Sequence, residues 1–158
     1  MRDHEGKPHE GHEGKQQERR KGSSKHRRMR LPSPLTDEEE LVITRTIGCA
    51  IAVHRVLGPG FLESIYKKAM RIEFDVQGLS YEAERPLRVN YRGINIPGQR
   101  VDLIVAGLIV VELKSVRRVD DVHTAQVLSY LKTTGLRGGL LINFRVPLLY
   151  TGVHRLVL

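Results

Sequence analysis

The feature that most constrains this chain is a set of charged residues inside the most apolar part of its sequence. Val101-Asp102-Leu103 is followed, across the apolar run from Leu103 to Val111, by Glu112-Leu113-Lys114. The run is too short to cross a membrane and indicates two strands joined at Ala106-Gly107. Isolated charges are costly to bury there unless they are paired or bind a metal. Two carboxylates and one ammonium group converging on a strand pair are typical of a divalent-metal phosphodiesterase site.

Strand parity makes this hypothesis specific. A three-residue loop, Ala106-Gly107-Leu108, pairs Asp102 with Glu112 and directs both side chains to one face of the hairpin. Carboxylates paired in this way lie about 5 Å apart at Cβ. They repel each other unless a cation relieves the repulsion, and hard oxygen ligands favour Mg²⁺ or Mn²⁺. Lys114 reaches the same cavity, where it can orient water or offset charge developing on phosphorus. The plainer alternative is a surface Glu-Lys pair on a strand edge, which contributes little.

The spacing of apolar residues, together with capping and turn residues such as glycine and proline, predicts the element order α, α, β, β, β, α, β, β. The predicted helices run from the capping box at Thr36-Asp37-Glu38-Glu39 to about Leu57, from near Phe61 to Gly78, and from about Asp121 to Thr134 before a Gly135 cap. The predicted strands lie at 87–91 with a short return at 94–96, then at 99–105, 108–116, 139–144 and 153–158.

Each helix carries apolar residues at helical spacing, which predict its buried stripe. In chain order the three stripes are Leu41, Thr44, Ile47, Ile51 and Val56; Ile65, Ala69, Ile72 and Val76; and Ala125, Leu128 and Leu131.

Charge and composition divide the chain into two parts. Residues 1–35 have few large apolar side chains and include the basic run at 19–30, so we expect a disordered polar tail with weak, salt-sensitive phosphate contacts. Three of its histidines, His4, His9 and His12, invite interpretation as a metal site, but they are expected to be solvated. The net charge of the whole chain is +8, but 16 basic and 13 acidic residues from Asp37 onward leave only +3. Residues 36–158 are predicted to form one domain, and a nucleic acid is the expected anionic partner.

The single cysteine, Cys49, excludes several kinds of site within one chain. It allows no intrachain disulfide, no zinc site built on several cysteines and no iron–sulfur cluster. The first residues printed, Met1-Arg2-Asp3-His4, contain no apolar run, so we expect no secretory signal. These observations fit a reducing compartment, and we expect a cytoplasmic protein with no membrane span.

Two further groups of residues accompany the charged hairpin. Gly60, Glu63 and Tyr66 open the second predicted helix, where Glu63 and Tyr66 lie three apart, although a Glu in a first turn also simply favours the helix dipole. Gln126 and Tyr130 lie four apart in the helix after Lys114. His123, one turn earlier, is interpreted as a surface or capping residue.

This combination resembles the GxxExxY family within the PD-(D/E)XK, restriction-endonuclease-like superfamily. Gly60, Glu63 and Tyr66 match the motif that names the family. The segments at 100–102, 111–114 and 123–132 match the nuclease signature, and 140–144 resembles the strand that follows it. The resemblance extends over residues 38–158.

The resemblance implies an α/β fold with a restriction-endonuclease-like core, in which a central mixed β-sheet is flanked by helices. It also implies metal-dependent phosphodiester hydrolysis. The implied metal ligands are Asp102, Glu112, the Leu113 carbonyl and Glu63, and the implied catalytic lysine is Lys114. Gln126 and Tyr130 resemble the Gln-x3-Tyr motif of RecB-type nucleases, which lies beside the active site and the nucleic acid.

Three functions follow as hypotheses. The first is a nuclease that acts on DNA with Mg²⁺ or Mn²⁺. The second is a catalytically silent nuclease-like module that binds nucleic acid or protein. The third, a small-molecule phosphohydrolase, is disfavoured for nucleotide triphosphates because Gly58-Pro59-Gly60 lacks the rest of a phosphate-binding loop. A basic face could be built from Arg85, Arg88, Arg92, Arg100, Arg117 and Arg118.

Overall fold

The computed structural model describes residues 33–158, so the predicted tail lies outside the described residues except for its last three positions. The described elements are helices α1 (Asp37–Leu57), α2 (Glu63–Gln77) and α3 (Asp121–Thr134), a 3₁₀ turn at Leu149–Gly152, and strands β1 (Tyr81–Tyr91), β2 (Ile94–Val105), β3 (Ile109–Lys114), β4 (Gly138–Asn143) and β5 (Val153–Val157). The predicted order is confirmed. The predicted short return strand and its successor are one continuous strand, β2.

The five strands form one mixed sheet in the order β1-β2-β3-β4-β5. Neighbours pair antiparallel except β3 and β4, which are parallel because α3 connects them. One face of the sheet packs against α1 and α2, and the other packs against α3. The predicted α/β architecture, a mixed sheet flanked by helices, is therefore confirmed. No helix in the described part of the chain is long and apolar enough to cross a membrane.

The helix ends follow the predicted local chemistry. Thr36 accepts a hydrogen bond from the Glu39 amide, and the Glu39 carboxylate accepts one from the Thr36 amide, which completes the capping box. In α3 the Asp120 amide donates to His123 Nδ1 at 3.0 Å, so His123 is a capping residue as predicted. Gly135 ends α3 in the left-handed conformation.

The predicted buried stripe is wrong in register for α2, and the stripes of α1 and α3 are correct only in part. In α2 the buried residues are Tyr66, Met70 and Phe74, whereas Ile72 and Val76 are 64% and 72% exposed. This helix carries two apolar stripes, and the one with the larger aromatic side chains is buried because those rings remove more apolar area from water.

The other two predicted stripes are correct in part, because Ile47 and Ile51 of α1 and Leu128 of α3 pack against the core and Leu131 is fully buried. In α1, Leu41 and Val56 are exposed, and the buried residues are Glu39, Val42, Ile43, Thr46, Cys49, Ala50, Val53 and His54. In α3, Ala125 is exposed, whereas Val127, Tyr130 and Leu131 are buried.

Candidate active site

The β2–β3 hairpin has the predicted register. Leu103 pairs with Val111 and Val105 with Ile109, around a loop in which Ala106 and Gly107 have φ values of 52° and 68°. A left-handed conformation at both loop positions suits a tight hairpin turn. The register brings Asp102 and Glu112 to the same end of the hairpin, where the regular pairing stops.

Asp102 is held at the point where the two strands separate. Its Oδ2 accepts a hydrogen bond from the Leu113 amide at 2.9 Å, and its side chain is only 8% exposed. On the other side of β2, the β1–β2 pairing is also interrupted at Asp102. Glu84, the β1 residue between the Ala83–Leu103 and Arg85–Val101 pairs, has a φ of 54° and is not paired. Asp102 is therefore not an ordinary residue on one face of a strand. Its carboxylate occupies a break in the backbone pairing.

Glu112 is the most deeply buried acid of the cavity, with 3% of its surface exposed. Its Oε1 is 2.8 Å from Lys114 Nζ, but its Oε2 is buried without a hydrogen-bond partner among the described residues. Burial, reinforced by the nearby Asp102 carboxylate, raises the pKa of Glu112 to about 7 against the opposing effect of Lys114. An additional cation at Oε2 would keep this carboxylate ionised.

Lys67 is one of the residues of this site that the sequence analysis missed. It projects from α2, and its Nζ lies 2.5 Å from Asp102 Oδ1 and 3.2 Å from Glu63 Oε1. Burial disfavours its charged form, but the hydrogen bond and charge of Asp102, helped by Glu63, outweigh burial and raise the pKa of Lys67. The only sequence signal was the spacing of four between Glu63 and Lys67, which is common on helix surfaces.

Gln126 and Tyr130 share one face of α3, as the spacing predicted, and they line the same cavity, as the resemblance implied. Gln126 Nε2 donates to the Tyr130 hydroxyl at 2.6 Å. Burial, followed by the charge of Glu112, raises the pKa of Tyr130, so the hydroxyl keeps its proton at neutral pH. From β2, Gln99 donates to Ser129 on α3, and its Oε1 has no partner in the described part of the chain.

These side chains enclose an open cavity of about 450 Å³. Every element from α2 to α3 contributes to its lining. The lining residues are Glu63, Lys67, Glu84, Gly98, Gln99, Arg100, Asp102, Glu112, Lys114, Gln126 and Tyr130.

Gly60 and Tyr66, the other two motif positions, lie outside this lining. Tyr66 is fully buried, stacks on Phe144 with ring centroids 4.4 Å apart, and donates a hydrogen bond to the Gly58 carbonyl at 2.5 Å. Gly60 has a φ of 118°, a conformation that favours glycine. Although Glu63 and Tyr66 share a helix, the structure brings only Glu63 to the cavity. Gly60 and Tyr66 shape the loop that precedes α2.

Two polar contacts missed from the sequence fix the end of β3. Buried Asn143 at the end of β4 accepts from the Val116 amide at 3.0 Å and donates to the Val116 carbonyl at 2.9 Å. Ser115 donates to the Phe61 carbonyl at 2.8 Å. The Asn143 bonds hold the chain beyond Lys114 to the end of β4, and the Ser115 bond holds it to the loop that leads into α2.

The donor set suits a hard divalent cation. Two buried carboxylates meet at one end of the hairpin, and one oxygen of Glu112 has no partner among the described residues. Lys67 separates Glu63 from Asp102, and within residues 33–158 no three acids, histidines or cysteines form a single metal-binding group. The residues suited to an ion are therefore Asp102 and Glu112, with a backbone carbonyl such as that of Leu113 as the further oxygen.

A comparison with protein families agrees with the architecture. The family model described as the PD-(D/E)XK nuclease superfamily matches residues 40–156, which include every side chain of the cavity. No curated protein and no solved structure gave a significant match.

Proposed function

The chain belongs to the PD-(D/E)XK nuclease superfamily, and on this premise we propose that it is a metal-dependent nuclease that cleaves DNA. The observation that carries the proposal is the buried pair of Asp102 and Glu112 beside Lys114, with Glu112 Oε2 lacking a partner among the described residues. A purely structural pair of this kind would leave a buried carboxylate oxygen unsatisfied, which is unfavourable.

Asp102, Glu112 and the Leu113 carbonyl would hold Mg²⁺ or Mn²⁺. The bound ion would polarise the scissile phosphate and help to ionise the attacking water. Two features of Leu113 support this arrangement. Its fully buried side chain anchors the backbone at this position, and its amide donates a hydrogen bond that fixes Asp102 Oδ2. Lys114, with a side chain 14% exposed, would orient the water or stabilise charge on the phosphate oxygens. Gln126 and the protonated Tyr130 hydroxyl would contact the substrate from α3.

The nucleic-acid substrate is supported by the distal part of the β1–β2 hairpin. Residues 88–98, called the arm here, are all exposed, and the segment 85–101 contains four arginines and no acid. Arg85 and Arg100 pair with Glu82 and Glu84, whereas Arg88 and Arg92 form no ion pair among the described residues. The arm runs into the cavity through Gly98, Gln99 and Arg100. It would bind phosphates that flank the scissile bond.

The arm makes a prediction for DNA affinity. The double substitution Arg88→Gln and Arg92→Gln should reduce the slope of log affinity against log salt by about 2, because each contact with a phosphate releases roughly one counterion. The measurement is a salt titration of duplex binding without divalent cations, so that no cleavage occurs. The matched control is Arg55→Gln with Lys132→Gln, which removes the same charge from exposed positions on α1 and α3. Equal slopes in the two variants would remove the arm from the interface.

The direct test of activity is cleavage of plasmid and linear DNA with Mg²⁺ or Mn²⁺ and with a chelator. Metal-dependent cleavage is expected.

The second candidate function, a silent nucleic-acid-binding module, is favoured by one observation: Lys67 and Lys114 already pair with the two carboxylates. Wild-type protein that binds DNA but cleaves neither substrate would support this second function.

A further inference from the structure

The two oxygens of Asp102 have different partners. Oδ2 is held by the Leu113 amide of the neighbouring strand, whereas Oδ1 is held by the Lys67 ammonium group at 2.5 Å. The Leu113 amide is part of the backbone and cannot leave without disturbing the hairpin. The ammonium group of Lys67, in contrast, is at the end of a flexible side chain. A cation that approaches Asp102 therefore has to share or replace the position of Lys67.

Lys67 already has a second partner at that position. Its Nζ is 3.2 Å from Glu63 Oε1, one turn earlier on α2. Glu63 is more exposed than Asp102, with side-chain exposures of 35% and 8%. An ammonium group that leaves Asp102 therefore remains paired with Glu63 and moves toward water, so the displacement does not strand a buried charge.

From this arrangement we propose that Lys67 is a built-in counter-ion of the metal site. It occupies the cation side of Asp102 in the metal-free protein and moves to Glu63 when a divalent cation binds. The inference rests on the proposed function, because it assigns the ion to Asp102 and Glu112. It gives Glu63 a role that acts through Lys67, in place of direct ligation.

Charge counting supports the proposal. Without metal, Lys67 pairs with Asp102 and Lys114 pairs with Glu112, so each of the two proposed ligand carboxylates has a cationic partner. A divalent cation at the same place repels the Lys67 ammonium, and the repulsion is weakly screened because the Lys67 side chain is only 23% exposed. Lys67 thus holds the empty site together and at the same time lowers its affinity for metal.

The test is the Mn²⁺ affinity of Lys67→Met, measured by calorimetry. The variant should bind Mn²⁺ at least roughly tenfold more tightly than wild type, because a competing positive charge beside the ion is gone. In chelator it should melt at a lower temperature, since Asp102 loses its cation, and Mn²⁺ should raise its melting temperature more than that of wild type. A purely structural Lys67 would lower the melting temperature without tightening the binding of Mn²⁺.

Two controls isolate the effect of the charge. Lys68→Met removes an exposed lysine from the neighbouring position of the same helix and should leave Mn²⁺ affinity unchanged. Lys67→Arg keeps a positive charge beside Asp102 and should bind Mn²⁺ far less tightly than Lys67→Met.

A double-mutant cycle with Glu63→Gln separates the two roles of Glu63. If Glu63 acts through Lys67, the substitution weakens Mn²⁺ binding in the wild-type background and has little effect in the Lys67→Met background. If Glu63 is a ligand, Mn²⁺ affinity falls by the same factor in both backgrounds, which would contradict the proposal.

The outcomes distinguish this proposal from the proposed function. Wild-type protein that binds Mn²⁺ while Lys67→Met binds it equally or more weakly overturns the role of Lys67 and leaves the nuclease proposal standing. Binding that is measurable only in Lys67→Met supports the role of Lys67. Absence of Mn²⁺ binding in both, together with absence of cleavage, overturns both proposals.

Discussion

Replacing Lys114 with alanine is expected to reduce DNA cleavage by roughly 10²- to 10³-fold, the effect of removing one preorganised charge from a buried reaction site. The ammonium group of Lys114 lies 2.8 Å from Glu112 Oε1, and its side chain is only 14% exposed. The measurement is the initial rate of plasmid cleavage at saturating Mg²⁺.

Metal binding and a matched variant complete this experiment. Mn²⁺ binding should persist in Lys114→Ala, because the proposed ligand oxygens remain. Lys68→Ala removes the same charge from an exposed position and should cleave at the wild-type rate. If Lys114→Ala also cleaves at that rate, Lys114 has no part in the reaction. Loss of cleavage and Mn²⁺ binding together would make Lys114 a residue that builds the metal site.

Replacing Tyr66 with alanine is expected to lower the free energy of unfolding by about 3–5 kcal/mol, the usual range for removing a large buried aromatic side chain. The Tyr66 ring is fully buried and lies nearly parallel to Phe144, with an interplanar angle of 12°. Its hydroxyl also ties the Gly58–Phe61 loop to α2 through a bond to the Gly58 carbonyl and one from the Phe61 amide. Denaturant unfolding measures the effect.

Tyr66→Phe tests whether this motif position serves the fold or the reaction. Phenylalanine keeps the stacked ring and loses the hydroxyl contacts, so the expected loss of stability is about 0.5–1.5 kcal/mol. Cleavage by the folded variant should match wild type because Tyr66 does not line the cavity. A stable Tyr66→Phe protein with greatly reduced cleavage would show that the hydroxyl acts in the reaction.

The parts predictable from the sequence were those governed by local geometry. The hairpin register followed from the length of the loop around Gly107, since a side-chain period of two leaves only registers of one parity that bring Asp102 and Glu112 together. The α1 capping box and the bounds of α3 followed from residues within one helical turn of each end. Local chemistry decides these features before any tertiary contact forms.

The features missed from the sequence depend on contacts between distant segments. The buried stripe of α2 packs against residues far along the chain, among them Phe144, which stacks on Tyr66. Asn143, at the end of β4, accepts a hydrogen bond from the Val116 amide, which follows β3. No local sequence pattern predicts that bond. Lys67 was overlooked because a Glu-Lys pair four residues apart is ordinary on an exposed helix, and only the fold brings Asp102 against it.

The central claim is that Asp102 and Glu112 together hold one divalent cation. Calorimetric titration of Mn²⁺ into wild type, Asp102→Asn and Glu112→Gln tests it most directly. One ion per chain is expected for the wild type, with binding weakened by at least roughly tenfold in each variant, because each substitution removes a charged oxygen ligand. Wild-type affinity in both variants, or no binding of Mn²⁺ to the wild type, would contradict the account.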